Sequence, residues 1–148
     1  KGVIDVVNRF IEIITPKKIF LGMKDYQQLF LIKKHISKNG INTKIIQCKT
    51  IRDSNFIAYS SRLKKLKKYE KNKLSKIIRY LKNYKKNLIF KRIDFNLTQI
   101  KKELLLLGAN KVDYIEQINM NNLKKTKKGK FNLFFAFYVG KIRFIDNF

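Results

Sequence analysis

The opening residues space their apolar side chains for a helix. Val3, Val6, Val7, Phe10, Ile11 and Ile14 recur three or four positions apart, which brings them onto one side of a 3.6-residue turn. Pro16 stops that helix, because proline lacks an amide donor and holds the residue before it out of helical geometry. "KKIFLG" then reads as a short buried strand. From Asp25 to about Lys38, Leu29, Ile32 and Ile36 share one helical face, and "NG" at 39 and 40 supplies the exit. "TKIIQCKTI" reads as the next strand, with Cys48 expected in the core. Strand, helix and strand over residues 17–51 predict a βαβ unit, the rear of a parallel nucleotide-binding sheet.

The pattern changes after this unit. "RDSNFIAYSSR", residues 52–62, has no clean period and reads as a loop. From Leu63 to Arg92 there are thirteen basic residues against one acidic residue, Glu70, while Leu74, Ile77, Ile78 and Leu81 keep an apolar stripe. That predicts an amphipathic helix with a strongly basic solvated face. Leu97, Ile100, Leu104 and Leu107 suggest another helix, ended by Gly108. "VDYIEQINM", "FNLFFAFYVG" and "KIRFIDN" read as strands, the last two separated by Gly140. Helices followed by an antiparallel-looking sheet predict a small α+β domain. The domain boundary is drawn at 56/57, giving domains 1–56 and 57–148.

Composition modifies this picture in three ways. The single cysteine forbids an intrachain disulfide and suits a reducing, cytoplasmic setting. The longest apolar runs fall far short of the roughly 20 residues that span a bilayer, so no membrane association is expected. The formal charge of +25 would ordinarily indicate nucleic acid or an anionic surface. However, Lys outnumbers Arg 29 to 6, with 21 Ile, 14 Asn and only three Ala. An AT-rich coding bias writes such a composition into any protein, and the scarce arginines are the residues that read bases and phosphates in pairs. Nucleic acid is therefore discounted as the main partner. Like-charge repulsion should cost stability at low salt whatever the ligand.

Two segments carry candidate chemistry. In "GMKDYQQL", residues 22–29, the plain reading is that Gly22 ends a strand, Lys24 is solvated and Asp25 caps the helix. The functional reading uses the same geometry, because ligands of open parallel sheets bind beyond the carboxyl ends of the strands. Gly22 would allow close backbone approach, Lys24 would offer donors to an anion, Asp25 would accept from a ribose hydroxyl and Gln28 would hold a small polar substrate. In "YSSRL", residues 59–63, Ser60 and Ser61 are ordinary helix caps or, with Arg62, a cradle for phosphate oxygens that Arg52 would reinforce.

Together, "FLGMKDYQQLFLIKKHI", "TIRDSNFIAYSSR", "KVDYIEQINMNNL" and "KIRFIDN" resemble the pantothenate synthetase (pantoate–β-alanine ligase) family, in the order of that enzyme's back half. The resemblance implies an α/β chain in which a partial Rossmann-like adenylating domain, akin to class I aminoacyl-tRNA synthetases, precedes a small C-terminal domain that closes over the site. It implies condensation of (R)-pantoate with β-alanine through a pantoyl-adenylate, using ATP and Mg2+, by a dimeric enzyme. By motif position Gly22, Lys24 and Asp25 would meet the nucleotide and Gln28 the pantoate. Ser60, Ser61 and Arg62 would hold the phosphates, with Lys24 and these three as the catalytic set. No metal ligands are assigned.

The chain opens at Lys1 inside a helical pattern, and the family's H-x-G-H signature is missing from it. The expectation is a fragment, inactive or weakly active by itself, with a separate N-terminal half among its candidate partners. His35, in "KKHISKN", is expected to be a surface helical residue. Within the serine segment the family reads close to D-G-L-A-x-S-S-R-N. Here Asn55 and Phe56 stand near Asp-Gly, and Leu63 replaces the final Asn; Phe56 tolerates positive φ poorly. Two alternatives stay open: a catalytically degenerate nucleotide-binding module, and a basic nucleic-acid-binding protein using residues 64–92.

Overall fold

The first helix forms over Gly2–Ile14 (α1) and is followed by strand Lys18–Gly22 (β1), helix Tyr26–Lys38 (α2) and strand Lys44–Cys48 (β2). The computed structural model describes residues 2–91, 93–127 and 129–148; Lys1, and Arg92 at the end of the basic stretch, lie outside the described residues. By contacts the chain divides into two units, Lys1–Thr50 and Ile51–Phe148. The architecture is mixed α/β, with a Rossmann-like parallel strand pair followed by helices and an antiparallel three-stranded sheet.

In the first unit β1 and β2 pair in parallel, with Ile19 opposite Ile45 and Phe20 opposite Ile46. Ile11 of α1 and Ile32 and Ile36 of α2 pack with Ile19, Leu21 and Ile45, so the helices cover the face of the sheet that these strand residues share. Alternation places Phe20 on the opposite face, where it is 67% exposed. Cys48, expected in the core, is exposed instead. The two-residue period puts it on the same face as Phe20, so its apolar surroundings in sequence do not bury it. On α1, Val6, Phe10 and Ile13 are also exposed.

His35 also departs from expectation. It is half-buried rather than on the surface, with Nε2 donating to Asn8 Oδ1 at 2.9 Å and Nδ1 accepting from Asn39 Nδ2 at 3.2 Å. It thereby ties α1 to the end of α2. Thr43 Oγ1 donates to the carbonyl of Pro16 at 2.8 Å, which fixes the entry to β2 against the entry to β1.

In the second unit the long basic helix spans Lys68–Phe90 (α3), starting later than Leu63 because Ser61–Lys65 form a separate 3₁₀ turn. Helix Leu97–Leu106 (α4) follows, with Asn96 Oδ1 accepting from the Gln99 amide at 3.0 Å as its N-cap. Strands Lys111–Asn119 (β3), Phe131–Val139 (β4) and Ile142–Asn147 (β5) form an antiparallel sheet with β4 in the centre. Leu74, Ile77 and Leu81 of α3, Ile100 and Leu104 of α4, and Leu133, Phe135 and Phe137 of β4 make one buried cluster. The α3–α4 connection is pinned by Tyr84, whose hydroxyl donates to the Asp94 carbonyl and accepts from the Asn96 amide. Among the described residues no helix is long and apolar enough to cross a membrane.

Gly140, in the β4–β5 turn, has φ +58 and its amide donates to Asn110 Oδ1 at 2.6 Å. A Cβ there would run into the Glu70 carboxylate, which already accepts from the Lys67 amide at 2.8 Å at the start of α3. Gly140→Ala is accordingly expected to lower the stability of this unit by about 1–2 kcal/mol. A urea midpoint unchanged by the substitution would contradict that assignment.

Candidate functional site

The first candidate segment lies at the carboxyl end of β1. Gly22 closes the strand with φ −71 and ψ 134, an extended conformation open to any residue, and a Cβ at this position would meet nothing within 4 Å. The fold itself does not require glycine here. Met23–Asp25 then make a single 3₁₀ turn, in which Lys24 is half-buried. Asp25 occupies the N-cap position of α2 but makes no side-chain cap hydrogen bond. The capping role expected of this carboxylate is thus not the one it performs, and the side chain lies exposed at the helix's positive end. Gln28 is exposed on the first turn of α2. Gly22, Lys24, Asp25 and Gln28 are therefore gathered around one strand end and one helix start.

The second candidate segment belongs to the second unit. Ser60 is extended and its Oγ accepts from the Arg62 amide at 3.2 Å, while the Leu63 amide donates to the Ser60 carbonyl at 3.1 Å. Ser60 therefore caps the 3₁₀ turn, as the structural reading of the sequence expects. Ser61 and Arg62 are exposed on the turn, and Leu63 packs against the core.

The residues upstream form a tight loop. An isolated antiparallel bridge joins Arg52 to Ala58, the Asp53 amide donates to the Ile57 carbonyl at 3.0 Å, and Asp53 Oδ1 accepts from the amides of Asn55 and Ile57, both at 2.9 Å. Phe56 sits at φ +65. Phe56, expected near the glycine of the motif the segment resembles, thus has a glycine-like backbone despite its side chain, a conformation that costs a non-glycine residue about 1–2 kcal/mol. Compensating contacts surround it. Arg79 Nη2 donates to Asn55 Oδ1 at 2.6 Å, and the Lys82 ammonium lies over the Phe56 ring. Partial burial, then repulsion from Lys86 and Arg52, lowers the Lys82 pKa.

Arg52 does not reinforce an anion cradle. Its guanidinium forks onto Asp146, with Nη1 at 2.5 Å from Oδ2 and Nη2 at 2.9 Å from Oδ1. Nη1 also donates to the Phe56 carbonyl at 3.0 Å and Nη2 to the Asn147 carbonyl at 2.9 Å. The sequence reading missed Asp146, which is 5% exposed. The available signal was an acid inside the apolar strand pattern "FIDN", since a carboxylate buried there needs a partner. A cavity of about 490 Å³ beside the loop is lined by Asn55, Leu63, Ser75 and Arg79 among others, and Ser60, Ser61 and Arg62 are not part of its wall. Among the described residues no three His, Cys, Asp or Glu side chains are placed to hold a metal ion.

A helix that begins at the carboxyl end of a parallel strand, with glycine, lysine and aspartate in the turn, is the arrangement of a Rossmann-like α/β fold, whose ligands bind beyond the strand ends. The sequence pattern of pantoate-beta-alanine ligase matches residues 1–148, and the chain belongs to that ligase family. The pantothenate synthetase of Flavobacterium psychrophilum is 33% identical over 150 residues, which take in 99% of this chain and 53% of that protein. That of Francisella tularensis subsp. novicida is 36% identical over 148 residues, with 99% and 49% covered. A crystal structure of the Francisella tularensis pantoate-beta-alanine ligase, complexed with beta-gamma ATP and beta-alanine, superposes with a TM-score of 0.75 at 35% identity over 99% of this chain and 49% of that one. The pantothenate synthetase of Thermus thermophilus gives a TM-score of 0.83 at 21% identity over 99% of this chain and 54% of that one, a likeness of fold. The chain spans about half the length of the curated relatives it matches.

Proposed function

We propose that this chain is the C-terminal half of an ATP-dependent pantoate–β-alanine ligase, which joins (R)-pantoate to β-alanine through a pantoyl-adenylate. The observation that carries the reading is the turn at Gly22–Gln28. It combines a glycine the backbone does not need, a half-buried lysine, and an aspartate at a helix start that does not cap its helix. A glycine and an aspartate that the fold leaves unexplained at a strand's carboxyl end are best explained by a ligand. The nucleotide and β-alanine in the crystals of the Francisella tularensis relative add support.

Each residue then has a role. Gly22 lets the nucleotide approach the backbone, Asp25 accepts from a ribose hydroxyl, and the Gln28 amide holds pantoate. Lys24 donates to phosphate oxygens from the first unit, and Ser60, Ser61 and Arg62 are the phosphate donors of the second. In the first step a pantoate carboxylate oxygen attacks the α-phosphorus and the bond to pyrophosphate breaks. Two anions meet, so cationic and N–H donors aimed at the phosphoryl oxygens lower the barrier. In the second step the β-alanine nitrogen attacks the acyl carbon, AMP leaves with the bonding pair and the amine loses a proton. That step needs positioning and water exclusion, with no enzyme nucleophile. Mg2+ would be held mainly by the nucleotide phosphates, since among the described residues no three His, Cys, Asp or Glu side chains cluster for it.

The test is ATP- and pantoate-dependent AMP release with β-alanine, run on the chain alone and again with a separately supplied N-terminal half of a relative. Turnover is expected only in the mixture. A folded chain that gives no AMP in either case points to the degenerate nucleotide-binding module, and turnover by the chain alone contradicts the assignment to a half-enzyme.

A further inference from the structure

We propose that the Arg52–Asp146 pair is a positioning clamp that sets the serine segment, residues 59–62, in its phosphate-accepting geometry; the functional part of this rests on the reading of Ser60, Ser61 and Arg62 given above. The arginine stands at the root of the loop and the aspartate near the end of β5, 94 positions away. Four acceptor oxygens converge on one guanidinium: both carboxylate oxygens of Asp146 and the carbonyls of Phe56 and Asn147. The Phe148 ring lies 4.7 Å from the guanidinium carbon, and Asp146 Oδ1 also accepts from the Asn147 amide at 2.8 Å. A planar fork with this many fixed acceptors has one orientation, which a lysine could not reproduce.

The clamp reaches the serines through the backbone. Its bond to the Phe56 carbonyl holds the left-handed corner of the loop. The Asp53 carboxylate fixes the two amides on either side of that corner, and the bridge from Arg52 to Ala58 aligns the returning limb. The Tyr59 amide then donates to the Ile51 carbonyl at 3.2 Å. The chain consequently leaves Tyr59 in a set direction, and Ser60 and Ser61 are the next residues. Ser60, Ser61 and Arg62 themselves are held by a short turn at the surface, so their direction is inherited from the limb before them.

The clamp predicts a local loosening and a specific coupling. Arg52→Lys and Asp146→Asn are each compared with the unaltered chain by amide hydrogen exchange and by titration with ATP–Mg2+. Exchange at residues 57–62 is expected to speed up at least tenfold in both variants, while the amides of Phe135 and Phe137 in β4 keep their rates. ATP binding is expected to weaken about tenfold. Ser61→Ala alone is expected to weaken it similarly, and Arg52→Lys combined with Ser61→Ala by far less than the hundredfold product, since a misdirected hydroxyl has little left to lose. Unchanged exchange at 57–62, or an equal rise in β4, overturns the clamp. Additive losses in the double variant overturn its action through the serine. If Ser61→Ala leaves ATP binding intact while exchange at 57–62 still rises locally, the phosphate role of the serines fails and the clamp stands as a determinant of loop conformation. Arg52→Lys retains the charge, so the exchange comparison remains available should Asp146→Asn fail to fold.

Discussion

Replacing Lys24 with alanine is expected to reduce AMP release by the reconstituted enzyme about 100- to 1000-fold, the range typical for loss of one preorganised donor to a developing oxyanion. Its place in the chain supplies the reason. Gly22 ends β1, the 3₁₀ turn carries Lys24 to the carboxyl end of the strand, and α2 begins immediately afterwards. Lys24 as a whole residue is half-buried there, so its side chain is partly ordered at the strand end. On the proposed role, in which the charge Lys24 meets grows as pyrophosphate departs, kcat and kcat/KM should fall together. Lys33→Ala, exposed on the helix that follows the turn, is the control and should retain nearly full activity. If the two variants behave alike, Lys24 has no special role, and the site must be sought elsewhere on the chain.

The second large effect is on stability. Phe137→Ala should destabilise the second unit by about 3–5 kcal/mol, the usual cost of a large-to-small change in a core that cannot collapse. Phe137 is fully buried on the central strand. Its ring lies 5.8 Å from that of Phe135 and 6.2 Å from that of Phe144, so truncation removes aromatic contacts as well as apolar area. A loss of this size is a large fraction of the ~5–15 kcal/mol available to a domain. Urea unfolding followed in the far ultraviolet would measure it, and a change below about 1 kcal/mol would mean that the side chains around β4 repack freely.

The elements were largely legible because their signals are local. The spacing of Leu29, Ile32 and Ile36 marks α2, and that of Leu74, Ile77, Ile78 and Leu81 marks α3; all seven are buried. Gly108 and Gly140, read as terminators, have the positive φ that such turns ask of glycine. What escaped depends on which surfaces meet. Cys48 has the sequence of a core position, but burial is decided by what covers each face of the strand pair. His35 looked solvated from its lysine neighbours, yet Asn8, on another helix, supplies its partner. Arg52 was expected to reinforce the phosphate cradle of the same loop, while its actual acceptor, Asp146, lies in β5. In the candidate site the segments themselves were readable. The support beneath the serine segment was not, since it is built from residues distant in sequence.

That distance has a consequence for synthesis. Arg52 leaves the ribosome well before Asp146, and at roughly 5–20 residues per second the separation of 94 positions takes about 5 to 20 seconds. Each nascent chain passes through an interval in which the loop exists without its anchor, and the loop is set only as β5 emerges. Proteolytic trimming that removed Asp146 and the residues after it would return a mature chain to that nascent condition, and would also strip the Phe148 ring from Phe135 of β4.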